Sequence, residues 1–193
     1  PAWPEKEKLK NEKMALGFYL SGHPFYAYAE ELKHFVRNRL DRLNPQREPQ
    51  LLAGIVYAMR TQVTRRGRMG IIVLDDGSAR VELVVYSELF ESARNWLKED
   101  QLLVVEARVS NKGGEDEYGL RITADQLYDL SSARSRYAKR VELRCNGSSD
   151  ARKLRELLAP HRGNCGNASG AGAANNFSCP VSVIYRNRNA TCE

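Results

Sequence analysis

The 193-residue chain has no apolar run long enough to cross a bilayer as a helix, and no secretory leader pattern. No membrane segment is expected, and a cytoplasmic setting with reduced thiols is. Cysteine is sparse and poorly spaced for chemistry: Cys145, Cys165, Cys179 and Cys192 all fall in the last quarter and form no Cys-x-x-Cys pair. Structural zinc sites usually contain one close ligand pair, so these residues do not read as a metal centre even with His161 recruited. Of the other histidines, His23 sits between Gly22 and Pro24 and reads as a structural cap, while His34 falls on a helix surface. Asn-x-Ser/Thr triplets begin at Asn146, Asn167, Asn176 and Asn189; with no leader they read as the by-product of an Asn-rich segment. The first residue is Pro1 instead of Met, which is read as a piece of a longer polypeptide.

Charge is unevenly placed. The net value is +6, composed of +2 over residues 1–50, −3 over 51–130 and +7 over the remainder. Any affinity of the middle segment for phosphate must therefore come from a local cluster instead of its overall field.

That middle segment has the periodicity of strands. Ala53 to Thr64 is rich in β-branched and aromatic residues, the basic turn Arg65-Arg66-Gly67-Arg68 follows, and Met69 to Leu74 is closed by Asp75-Asp76-Gly77-Ser78. A third strand places Val81, Leu83 and Val85 on one face and Glu82, Val84 and Tyr86 on the other. Ser87 reads as the N-cap of a helix in which Leu89, Ala93, Trp96 and Leu97 recur at helical spacing, widened by Phe90, and which plugs one end of the sheet. Leu102 to Val109 suits a strand buried on both sides; after Lys112-Gly113-Gly114, Leu120, Ile122 and Ala124 point inward. The order β-β-β-α-β-β is that of an oligonucleotide-binding (OB) barrel, and the coiling it needs suits Gly54, Gly70 and Gly119. The inward face of the first strand stays open between Ile55-Tyr57-Met59 and Gly54-Val56-Ala58.

On the N-terminal side, Glu5 to Leu20 reads as an amphipathic helix with Leu9, Leu16 and Leu20 in one stripe, stopped by Ser21-Gly22-His23-Pro24. Pro24 starts a second helix with Tyr28, Leu32, Phe35, Val36 and Leu40 on one face, and Asn44 to Pro49 connects it to the barrel. On the C-terminal side, Ala133 to Arg140 reads as a short basic helix, Val141 to Cys145 as a strand, Ser149 to Leu158 as a helix and Pro180 to Tyr185 as a strand. The small, polar stretch 163–176 reads as a poorly ordered loop. The expected fold class is α+β: a helical segment over 1–49, a five-stranded OB barrel over 50–131, and the truncated start of a small β-α-β unit over 132–193.

The words Leu16-Gly17-Phe18-Tyr19-Leu20-Ser21-Gly22-His23-Pro24 and, further on, Leu74-Asp75-Asp76-Gly77-Ser78-Ala79-Arg80-Val81-Glu82 resemble the C-terminal region of the bacterial DNA polymerase III alpha subunit, the C-family replicative polymerase. The similarity covers nearly the whole chain, with Tyr137-Ala138 opening the C-terminal unit, and departs from the family at 163–176 and at the end. It implies a non-catalytic portion of a DNA-directed DNA polymerase. The two Mg2+ ions would belong to an absent palm, and the sliding clamp would bind through a motif upstream of this chain. What remains would bind single-stranded DNA weakly and dock on the tau subunit of the clamp loader.

Within the barrel, Arg60, Arg65, Arg66 and Arg68 border the face that OB folds use for strands, with Lys112 across the groove and Tyr57, Tyr86 and Tyr118 as stacking platforms. The alternative is a solvated hairpin over packed tyrosines. Arg134, Arg136, Lys139 and Arg140 form a basic run suited to DNA or to a protein partner, and the resemblance favours the partner. Asp75, Asp76 and Glu82 invite a nuclease reading, but carboxylates beside a Gly-Ser turn are more often Asx acceptors. Rival readings are an RNA-binding barrel, such as a tRNA anticodon-binding domain, and a barrel that binds only protein.

Overall fold

β-Branched and leucine-rich strands build the centre of the molecule: β1 (Gln50–Thr64), β2 (Gly67–Asp75), β3 (Arg80–Val85), β4 (Leu102–Asn111) and β5 (Leu120–Tyr128). The computed structural model describes residues 3–65, 67–111, 119–139, 141–145, 151–161, 181–187 and 190–192. Two compact units emerge, Pro1–Ala133 and Arg134–Glu193, so the N-terminal helical segment shares a unit with the barrel.

The strands close into a barrel in the order β1-β2-β3-β5-β4. All pairs are antiparallel except β3 with β5, which meet in parallel through Leu83 with Ile122 and Val84 with Thr123. The expected α+β class and five-stranded OB barrel are both observed. Leu52, Val56, Ile72, Leu74, Leu83, Val85, Leu103, Val105, Val109 and Ile122 fill the interior, and each is at most 2 % exposed. Burying one such side chain contributes about 1.5–3 kcal/mol, which makes this interior the dominant favourable contribution to folding.

The inward face of β1 changes part-way along. Leu52 and Val56 point inward; the register with β2 then slips between Val56 and Ala58, and beyond the slip Met59 is the residue packed on the core. Tyr57 is the inserted residue of this β-bulge. Both inward faces expected for β1 therefore occur, one on each side of Tyr57.

α3 (Ser87–Ala93) lies between β3 and β4 and contributes Phe90 and Ala93 to the core, followed by Leu97. Tyr86, in extended conformation, precedes the first turn, and Ser87 is the first helical residue instead of the expected cap. Phe90 lies against the backbone of Gly70, where an added Cβ would stand 2.4 Å from the ring. Gly54 is similarly constrained, with a Cβ meeting the Asp75 backbone at 3.1 Å. Gly119, expected inside a strand, instead precedes β5 with φ 138°.

The N-terminal helices are shorter than their apolar spacing suggests. α1 (Glu5–Leu16) stops at Gly17, whose φ of 82° supplies the left-handed cap expected of Gly22. Beyond it, the Glu12 carboxylate accepts the Leu20 and Ser21 amides and turns the chain. Leu9 is buried, but Leu16 and Leu20 are exposed, so the expected stripe is not formed. α2 (Tyr26–Leu32) runs only seven residues; Leu40 reaches the core from a separate turn of 3₁₀ helix.

The helix α4 (Leu130–Tyr137) begins three residues before the expected Ala133, because the Asp129 carboxylate accepts the Ser132 amide as its N-cap. In the second unit β6 (Val141–Cys145) pairs in parallel with β7 (Val181–Asn187), with α5 (Ala151–Leu158) between them in sequence, as a β-α-β unit requires. An additional strand, β8 (Ala190–Cys192), pairs antiparallel with β7. Residues 163–176 lie outside the described residues.

Gly70→Ala is expected to lower the unfolding free energy by about 1–3 kcal/mol in urea titrations, because the methyl group would overlap the ring of Phe90, which is buried in the core and must shift. The loss should shrink in a Phe90→Leu background, where the clash is gone.

Candidate nucleic-acid interface

The β1–β2 hairpin ends the long strand pair with a polar turn. Thr64 Oγ1 donates to the Gly67 carbonyl at 2.8 Å, and Gly67 itself has φ 109°. A Cβ there would stand 3.1 Å from that of Ser87, so the hairpin end lies directly against the start of α3. Between them is a cleft of about 310 Å³ lined by Thr64, Arg65, Met69, Tyr86 and Ser87. Sequence reasoning selected Arg65 and Tyr86, and the fold brings them together. Thr64, Met69 and Ser87 were not selected, because their proximity depends on the helix folding back to the hairpin.

Tyr86 is 57 % exposed and offers an apolar face to solvent; Val63, opposite Arg68 in the β1–β2 register, is 78 % exposed. Arg65 and Arg68 are exposed and form no ion pair with another described residue. Arg66, Lys112 and Tyr118 lie outside the described residues.

Other expected binding residues are engaged within the protein. Arg60 pairs with Glu82 at 2.9 Å. The ring of Tyr57 holds the Arg80 guanidinium at 3.7 Å and the Lys13 ammonium at 5.1 Å from its centroid, and its hydroxyl donates to the Gly17 carbonyl at 3.4 Å. A base stacking on Tyr57 would have to displace these cations. Elsewhere on the barrel Arg108 pairs with Asp125 at 2.7 Å.

A second cleft, of about 550 Å³, opens where β3 and β5 diverge, lined by Arg80, Val81, Glu82, Val84, Leu120, Arg121 and Ile122. Arg121 is exposed with no ion pair among the described residues. Its outward place between inward-pointing Leu120 and Ile122 is the signal that could have singled it out.

The model of the OB-fold nucleic acid binding domain matches residues 51–130, which are the barrel. The DNA polymerase III alpha subunit of Neisseria meningitidis serogroup B is 44 % identical over 84 % of this chain, and that of Vibrio cholerae is 37 % identical over 98 %. The chain belongs to the DNA polymerase III alpha-subunit family. It spans 14 % and 16 % of the lengths of these two relatives. Among solved structures, the second OB-fold domain of replication protein A from Methanococcus maripaludis shares 18 % identity over 48 % of this chain and 93 % of its own, at a TM-score of 0.37.

In this member of the polymerase III alpha family, the aspartates that invited a nuclease reading serve the turn. Asp75 Oδ1 accepts the Gly77 amide at 2.9 Å and Oδ2 the Arg80 Nε at 2.6 Å. Asp76 Oδ1 accepts the Ser78 amide, the Ser78 hydroxyl and the Ala79 amide, while Oδ2 accepts the Leu40 amide at 2.9 Å. Those to the amides of residues 77–79 are Asx contacts, and the two aspartates are only 5 % and 7 % exposed. Among the described residues no group of three or more His, Cys, Asp or Glu side chains is placed to hold a metal ion.

In the second basic region, Arg136 lies 5.8 Å from the centroid of the neighbouring Tyr137 ring, and both Arg134 and Arg136 have partners within the chain. Lys139 is exposed, and Arg140 lies outside the described residues.

Burial would raise the Asp76 carboxyl, but the hydrogen bonds from Leu40, Ser78 and Ala79 outweigh it and hold the group below the ordinary carboxylate range. A folded value below the unfolded one stabilises the fold above the unfolded value and loses that effect as pH falls through the folded value. Asp76→Asn should therefore cost about 1–3 kcal/mol at neutral pH and progressively less below about pH 4, in urea unfolding measured across pH.

Proposed function

We propose that the barrel of this polymerase-family chain binds single-stranded DNA weakly during chromosomal replication, at the hairpin end, without contributing catalytic residues. The observation that carries this reading is the cleft that places exposed Tyr86 beside Arg65, with Arg68 on the adjoining strand holding no ion pair among the described residues. Single strands want an aromatic face for a base and cations for the backbone, and both are present within one hairpin and the helix it touches. Family membership supports DNA as the polymer, because the relatives are named as DNA polymerase III alpha subunits. Arg66, Lys112 and Tyr118 extend the proposed surface in sequence. Arg60 and Tyr57 would join it only by exchanging their internal partners.

The second unit, with Arg134, Arg136, Lys139 and Arg140, is assigned to docking on the clamp-loader tau subunit. The full polypeptide would be a DNA-directed DNA polymerase whose two Mg2+ ions sit in a palm outside this chain, and whose sliding-clamp contact also lies upstream. Weak strand contact suits such an assembly, since several modest contacts joined in one polypeptide raise effective concentration while each can let go quickly.

Fluorescence anisotropy with a labelled oligothymidylate tests the reading. Binding should be measurable at low salt and weaken as salt rises; Arg65→Ala with Arg68→Ala should flatten the log–log salt slope by about 1.4, corresponding to two lost phosphate contacts. Tyr86→Ala should weaken binding roughly 5- to 160-fold, the equivalent of about 1–3 kcal/mol for one stacked base. No binding at low salt would favour a barrel that recognises only protein, and equal or tighter binding of the matching RNA would favour the RNA module.

A further inference from the structure

The two sequence words that carry the family resemblance meet in space at His23 and Asp75. The His23 side chain is 11 % exposed, and its Nε2 is sealed from solvent 3.2 Å from Asp75 Oδ1, yet off the line of a well-formed hydrogen bond. On the other side of the ring, Nδ1 accepts the Phe25 amide at 3.2 Å. With Nδ1 accepting, the ring's hydrogen belongs on Nε2, the nitrogen nearer Asp75. Tyr19 packs edge-on against the imidazole, with centroids 5.4 Å apart, and Tyr26 tilts over it at 5.9 Å.

Around this contact, residues 13–26 run from the last turn of α1 to the first residue of α2, with 14–18 exposed and 22–25 half-buried. Lys13 pairs with Asp100, the Tyr19 hydroxyl donates to the same carboxylate at 2.9 Å, and the Gly17 carbonyl receives Tyr57, the bulge residue. Tyr26 lies against the turn, where a Cβ at Gly77 would stand 3.0 Å from its hydroxyl. The outward residues Met14, Leu16, Phe18 and Leu20 are 48–77 % exposed and bury little against the barrel. The segment is thus fastened by a few polar contacts instead of an apolar seam. Among its fastenings, the one most fully withdrawn from water is a nitrogen without a well-directed partner. The contact with Asp75 thus holds the segment, but more weakly than a well-directed hydrogen bond would.

We infer that residues 13–26 form a strap latched to the barrel by His23 reaching Asp75, and that the strap opens without unfolding the barrel. His23 is a positioning residue in this device: its Nδ1 shapes the local turn, and its Nε2 engages the barrel. Opening would free the Tyr57 ring from Lys13 and change how the N-terminal segment is oriented on the barrel. The inference stands whether or not the barrel binds DNA.

Amide hydrogen exchange on the whole chain separates the two halves of the imidazole's role. His23→Asn retains an acceptor where Nδ1 stands but is too short to reach Asp75, whereas His23→Gln retains the reach. For the latch, exchange of the amides at 16–26 should rise at least tenfold in His23→Asn, with β2 and β4 still protected, and stay within about threefold of wild type in His23→Gln. Unchanged exchange in His23→Asn would overturn the inference, as would equal loosening in both variants or loss of protection throughout the barrel. Loosening in His23→Gln alone would do the same and assign His23 to the local turn only.

Discussion

Two adjacent buried carboxylates organise the first unit. Asp75 and Asp76 sit at the β2–β3 turn and gather backbone amides from residues 40, 77, 78 and 79 together with the side chains of Ser78 and Arg80. Leaving a buried carboxylate without such donors would cost several kcal/mol, so the buried turn is stable only with these groups gathered on it. Leu40, which ends the N-terminal segment's return to the core, is held by its amide on Asp76. The same turn thus closes the β2–β3 hairpin, anchors the segment before β1, and presents the face that His23 meets.

Charge pairing explains how a barrel of net −3 can carry a basic rim. Arg60, Arg80 and Arg108 each have a carboxylate partner, whereas Arg65 and Arg68 have none among the described residues. Most exposed pairs contribute at most about 1 kcal/mol to stability, so their larger effect here is to leave uncompensated positive charge at the hairpin end and at Arg121 beside the β3–β5 cleft. Total charge therefore misleads, and the distribution along the strands is what bears on an anionic partner.

Much of the barrel was legible because alternation reports directly on which face a strand buries: Leu83 and Val85 lie inward as their spacing demands, as do Ile122 and Ala124. The inward face of β1 was not legible, because a bulge changes parity by one residue and Tyr57 carries no local mark of being the extra one. Helix ends misled for a similar reason. Gly17 and Gly22 are equally good terminators in isolation, and only the capture of the Leu20 and Ser21 amides by Glu12 distinguishes them. At the candidate interface, Arg65 and Tyr86 were recognisable as types, but their adjacency required α3 to fold back to the hairpin. Tyr57 looked equally suitable, and the cations that occupy its ring come from residues 23 positions away along the chain at Arg80 and still further at Lys13.

The acidic turn and the basic hairpin lie at opposite ends of one strand, and this separation lets each work undisturbed. β2 runs from Gly67 to Asp75, eight steps of about 3.3 Å, which places the two ends roughly 26 Å apart. Exposed charges are screened over about 8–10 Å at physiological salt, and the Arg80 guanidinium already neutralises Asp75 locally. The buried carboxylates therefore subtract little from the potential at Arg65 and Arg68, while those arginines add little to the stability of the turn. A substitution at either end should act on one property alone, because the strand that joins them transmits geometry over that distance far better than it transmits charge.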